Sequence, residues 1–189
     1  MIMGKFDATV ESQSGVGSSL QSTIMIRQKL PDLVRALGVH SFLDAPCGDF
    51  NWMKEVDLGV EKYIGLELDH ENVVNNRRLY GRPGREFIAG DVVWSDLPKV
   101  DMIFCRDCLV HLPLKAGVMA IQNFKNSGAK YLVITTFPFL TDNVDCELFD
   151  WRRLNLELPP FYMGPAERII DEQGPRPDEQ GKSLGVWVL

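Results

Sequence analysis

The chain has no run of 18 apolar residues, so it presents no membrane-spanning helix. Its first residues also lack the basic-then-apolar pattern of a secretion signal, and a cytoplasmic location is the expectation. Positive charge is sparse. Lys and Arg number 20 against 26 Asp and Glu, for a net charge of −6, and basic residues adjoin only at Arg77-Arg78 and Arg152-Arg153. Duplex nucleic acid needs a basic face, so a nucleic-acid substrate is not expected. Cysteine is scarce too, with Cys47, Cys105, Cys108 and Cys146 alone. Cys105-Arg-Asp-Cys108 has C-x-x-C spacing, but no second pair completes a zinc set. The four read as reduced structural thiols, and no metal is expected. No internal repeat or second domain is evident. A chain of 189 residues is expected to be one domain with a sizeable core.

Against these absences, one stretch organises the rest: Ser41-Phe-Leu-Asp-Ala-Pro-Cys-Gly-Asp-Phe50. It reads as a core strand (41–44), a tight turn, and a helix opening over 51–56. Gly48 lets backbone approach a ligand, and Asp44 stands at the strand's carboxyl end, where open α/β sheets bind ligands. Around this stretch the pattern alternates. Residues 1–19 are polar and glycine-rich, a flexible segment or a flap over ligand. Residues 21–37 read helical with Ile24, Leu33, Val34 and Leu37 apolar, Pro31 breaking or restarting the helix, and Gly38 at its end. Strands follow at 62–68, 85–89, 100–105 and 131–136, with helices at 70–80 and after Pro113, the latter carrying Leu114, Val118 and Ile121 on one face. Two last strands, 167–171 and 184–189, close the chain. Alternation of this kind implies an α/β fold with a mostly parallel sheet and helices on both faces.

The block Asp44-Ala-Pro46-Cys-Gly48-Asp-Phe50 resembles motif I of class I S-adenosylmethionine (SAM) methyltransferases, with Pro46 and Phe50 in place of two glycines. The resemblance implies a Rossmann-like seven-stranded sheet with an antiparallel last strand, and SAM as cofactor. A dinucleotide would set a pyrophosphate on the helix N-terminus, where the carboxylate of Asp49 repels it. Three acids stand at successive strand ends, Asp44, Glu67 and Asp91, to meet the polar handles of SAM. Glu67 lies 19 residues past Gly48, close to the spacing at which an acid meets a ribose diol. By resemblance, Asp44 sits near the methionine ammonium, Asp91 accepts from the adenine amino group, and Val92 lends its backbone N–H to the ring. Pro46, Gly48, Asp49, Cys105 and Arg106 complete the expected cofactor-binding set. Each acid alone reads equally as a solvated strand end or a helix cap.

Chemistry is expected at Cys105-Arg-Asp-Cys-Leu-Val-His111. His111 is the first candidate base and Asp107 the second; either alternatively caps the helix near Pro113. Arg106 holds the substrate or the cofactor carboxylate, or pairs with Asp107. A loop over 137–164 replaces a helix, and its Trp151, Arg152 and Asn155 are candidate substrate-binding residues, though Trp151 reads equally as a cover for the sheet edge. Leu158-Pro-Pro-Phe161 resembles an amino-group nucleic-acid methyltransferase motif but lies past the fifth strand, with Leu in the polar position, so it carries no such function. From residue 20 onward the chain resembles small bacterial or phage-borne class I methyltransferases. The expected activity is transfer of a methyl group to an oxygen, in preference to a nitrogen, of a small molecule or glycan. The alternative is a non-catalytic SAM-fold binding or scaffold module.

Overall fold

The computed structural model describes residues 10–189. Seven strands form one sheet: β1 (Ser41–Asp44), β2 (Lys62–Glu67), β3 (Arg85–Ala89), β4 (Met102–Cys105), β5 (Tyr131–Thr136), β6 (Arg168–Asp171) and β7 (Ser183–Val188). Their spatial order is β3-β2-β1-β4-β5-β7-β6, and β7 runs antiparallel to both neighbours. The reversal of order between β1 and β4 opens a crevice at their carboxyl ends, the topological switch point of an open sheet.

Alternation along the central strands explains why both faces are covered. Phe42, Met102, Phe104 and Val133 enter one core with Ile26, Leu30, Leu33 and Val34 of helix α1 (Ile24–Ala36). Leu43, Ile103, Cys105, Leu132 and Ile134 enter the other with Ala120, Ile121 and Phe124 of helix α3 (Leu114–Asn126). Helix α2 (His70–Tyr80) starts at Asp69, whose carboxylate accepts from the N–H groups of Glu71 and Asn72.

Several local expectations are corrected. No regular helix follows the first turn; Asn51 and Trp52 form a turn and Met53–Glu55 one 3-10 turn. Phe50, Trp52, Met53 and Val56 are all buried, so this short apolar plug fills the space a helix would occupy. Pro31 does not interrupt α1, because the four buried residues of the helix hold it through the single missing backbone bond. Gly38, with φ +63°, ends that helix as expected: the Gly38 and Val39 N–H groups donate to Arg35 and Val34 carbonyls. On α3, Val118 is exposed and Gly117 faces inward, where the Phe161 ring packs so closely that a β-carbon would stand 3.1 Å from it.

Candidate active site

A cavity of about 550 Å³ lies at the carboxyl ends of β1, β2 and β4. Its floor is the turn after β1. Gly48 adopts φ +56° and donates its N–H to Glu67 Oε2 at 2.9 Å, while Glu67 Oε1 accepts from the Asp69 N–H at 2.9 Å. Asn76 of α2 donates to the Gly48 carbonyl at 2.8 Å. The turn is thus braced against β2 and α2, and its amide groups are already engaged. The Asp49 N–H donates to Ser14 Oγ at 2.9 Å, and the Asp49 carboxylate gathers the Ser12 hydroxyl, the Gln13 N–H, the Ser14 hydroxyl and the Asn51 N–H. Asp49 therefore ties the segment around residues 12–14 over the turn. Residues 1–9 of the segment expected to be flexible lie outside the described residues.

Two carboxylates in this wall are electrostatically uncomfortable. Asp44 is buried, and its Oδ2 accepts from the Tyr63 hydroxyl at 2.5 Å. Burial pushes its pKa up to about 7; the Tyr63 bond opposes the shift, neighbouring Glu67 adds to it, and Arg106 offsets a smaller part. Glu67 is also raised, chiefly by burial, despite three backbone N–H donors.

Next to them lies a neutralised cluster. Arg106 donates from Nε and Nη2 to Glu172 Oε2 at 3.0 and 2.7 Å, and from Nη1 to the Gly17 carbonyl at 2.9 Å. Asp107, in the left-handed region at φ +53°, pairs with Arg106 Nη1 at 3.2 Å and with Lys182 Nζ. Burial would raise the Asp107 carboxyl, but Arg106 and Lys182 outweigh it and hold the group below the ordinary aspartate value. An acid so held is a weak proton acceptor.

His111 sits at the end of a 3-10 turn, Leu109–His111, on the cavity wall. Its Nδ1 lies 3.1 Å from the Asp150 carbonyl, and the Phe149 N–H donates to the His111 carbonyl at 2.9 Å. With the proton on Nδ1, Nε2 is left as an acceptor. The α3 N-terminus is capped by neither His111 nor Asp107: Asp145 Oδ1 accepts the Leu114 N–H at 2.7 Å.

Of the residues singled out from the sequence, Asp44, Pro46, Gly48, Glu67, Asp91, Val92, Arg106, Asp107 and His111 line this one cavity. Asp91 Oδ1 accepts the Val93 N–H at 2.7 Å, which shapes the turn after β3. Asp49 and Cys105 are not in the lining. Cys105 is fully buried, and that burial, with Cys108 beside it, drives its thiol far above the ordinary range. All four cysteines are free thiols, and the described residues hold no group of three or more potential metal ligands.

Trp151, Arg152 and Asn155 lie away from the cavity lining. Arg152 donates to the carbonyls of Leu109, Leu112 and Val144, and Asn155 to those of Pro138 and Leu140. Trp151 packs edge-on against Phe137 with ring centroids 6.2 Å apart. Reasoning from sequence missed Tyr63, Trp94, Leu148, Phe149, Glu172 and Lys182. Only Trp94, three residues past Asp91, carried a positional signal.

Sheet order, antiparallel β7 and a cavity at the β1/β4 switch define the Rossmann-like fold of class I methyltransferases. Solved structures share it. The methyltransferase domain of bacterial CtHen1-C superposes with a TM-score of 0.66 at 16% identity, over 89% of this chain and 98% of that one. Magnesium protoporphyrin IX methyltransferase (ChlM) from Synechocystis PCC 6803 with bound SAM gives 0.62 at 13% identity, over 92% and 86%. PigF with SAH gives 0.63 at 17% identity, over 87% of this chain and 55% of that one. No protein-family model matches the chain, and no curated protein matches its sequence. Among the described residues no helix is long and apolar enough to cross a membrane.

Proposed function

We propose that this chain is a SAM-dependent methyltransferase acting on an oxygen, in preference to a nitrogen, of a small molecule. The observation that carries the reading is the pair Asp44 and Glu67, buried on one cavity wall with both pKa values raised. A cation set against such a wall would favour the ionised form of its acids, and SAM carries two, an ammonium and a sulfonium. The same turn suits a phosphate poorly. A phosphate needs free backbone N–H groups, and here the Gly48 and Asp49 amides already donate to Glu67 and Ser14.

Asp44 would face the ammonium end, Glu67 the ribose diol, and the Asp91-Val92 turn the adenine. When bound, SAM supplies an electrophilic methyl group on a cationic sulfur. The chain's own task is to align an acceptor, exclude water and take up its proton. His111 Nε2 is the group for the proton, since Asp107 is committed to Arg106 and Lys182.

A scaffold without catalysis would have had its cleft filled by side chains; a cavity of about 550 Å³, in the range of small-ligand sites, argues for the enzyme. Calorimetric titration with SAM and with S-adenosylhomocysteine tests the reading. Saturable binding of both is expected, and binding of neither would overturn it.

A further inference from the structure

Resting on the methyltransferase reading, the geometry points to a flat, largely apolar acceptor bearing one ionisable hydroxyl, that is, an aryl hydroxyl compound rather than a glycan. On the side of His111, the cavity wall is Leu112, Pro113, Leu148 and Phe149. Leu148 and Phe149 are each 51% exposed, large apolar groups left facing open space beside a polar site. Phe149 is fixed there. It adopts φ +75°, a conformation that side-chain-bearing residues rarely take, and its N–H bonds to the His111 carbonyl while Asp150 holds the imidazole. The backbone that carries the Phe149 ring is thereby tied to the turn that carries the imidazole.

A sugar would need several hydrogen-bonding side chains around this wall. Those nearest are engaged. Arg152 spends its guanidinium on three loop carbonyls. Arg106 and Asp107 pair with Glu172, Lys182 and each other. The remaining polar lining groups, such as Ser14 and Asn72, belong to the segment packed on Gly48 and to the first turn of α2, at the cofactor end. One imidazole nitrogen beside an apolar wall recognises one hydroxyl on a flat apolar body. The aryl oxygen passes its proton to His111 Nε2 and forms the new O–CH₃ bond as the S–CH₃ bond breaks, the pair of that bond staying on sulfur.

The test uses the full chain saturated with S-adenosylhomocysteine, so that binding is read without turnover. Two phenols, 7-hydroxycoumarin and 4-nitrophenol, are titrated against methyl α-glucoside. Saturable binding of a phenol and none of the glucoside is expected, with Phe149→Ala and Leu148→Ala each weakening the phenol about tenfold while S-adenosylhomocysteine affinity is unchanged. That unchanged affinity also shows each variant to be folded. If S-adenosylhomocysteine binds and neither phenol does, or the glucoside binds better, the acceptor assignment fails alone. If S-adenosylhomocysteine itself does not bind, the methyltransferase reading falls and takes this one with it.

Discussion

Two sets of acids, all buried but for the partly exposed Asp107, lie side by side at the carboxyl edge of the sheet, and the protein treats them in opposite ways. Asp107 and Glu172 pair with Arg106 and Lys182, at 2.7 Å for Arg106–Glu172 and 3.5 Å for Lys182–Glu172, and Glu179 pairs with Arg176 at 3.1 Å and lies 3.8 Å from Lys182. Asp44 and Glu67 have a tyrosine hydroxyl and backbone amides for partners, and their pKa values rise. Buried charge is costly unless it is paired. The first set is therefore finished architecture, linking β4, β7 and the Gly17 carbonyl. On the proposed function, the second is the site that receives charge from outside.

The comparison breaks most visibly if the finished set loses a cation. Lys182→Met strips one counter-charge from the buried Glu172 and Glu179 and from the partly exposed Asp107, and a loss of about 3–5 kcal/mol of unfolding free energy in urea is expected. Glu172→Gln added to it should restore part of the loss, since the two residues are coupled. A Lys182→Met variant as stable as the parent would mean that the cluster is not held by charge.

The next effect is catalytic. His111→Ala should lower turnover roughly 10²-fold with S-adenosylhomocysteine affinity unchanged, because the imidazole lies on the acceptor side and not among the cavity acids. Undiminished turnover would leave alignment alone to do the chemistry. For the second set, Glu67→Ala should weaken SAM by about 1–3 kcal/mol through loss of a charge-assisted bond. Calorimetry reads it directly, and unchanged affinity would remove the ribose assignment.

How much of this was legible in the sequence follows the same division. The strand ends Asp44, Glu67 and Asp91 could be read because each closes a short apolar run, and period and turn residues are local signals. The mostly parallel sheet followed from the alternation of elements, and the antiparallel last strand from the resemblance to class I methyltransferases; the strand order is visible only in the structure. Lys182 and Glu172 could not be read: they reach Asp107 and Arg106 across 75 and 66 residues, and nothing near them in the chain marks the meeting. Arg152 and Asn155 looked like ligand groups because polar residues among aromatics suit a pocket. In a long loop without regular structure, however, carbonyl groups need donors, and these two side chains supply them. The missing helix after the first turn has a similar origin. Phe50, Trp52, Met53 and Val56 are the apolar residues of a stretch of only seven, and so short a pattern cannot distinguish a helix from a plug.

The finest test of the contrast is proton release. Asp44 has a pKa of about 7 in the folded chain against an ordinary 3.8. Between those values the folded state keeps a proton that the unfolded state gives up, so Asp44 makes stability fall as pH rises from about 4 to about 7. A bound cation reverses the preference, since it favours the carboxylate and lowers its pKa. SAM binding at pH 6 should therefore release a proton, and SAM affinity should rise by up to roughly tenfold per pH unit until the carboxylate is ionised without help. Titrations at pH 6 in two buffers of different ionisation enthalpy count the proton, and Asp44→Asn should abolish both the release and the pH dependence. A parent chain that binds SAM with no proton released and with flat affinity from pH 6 to about 8 would place the cation away from Asp44, and the two sets of acids would then differ in partners but not in purpose.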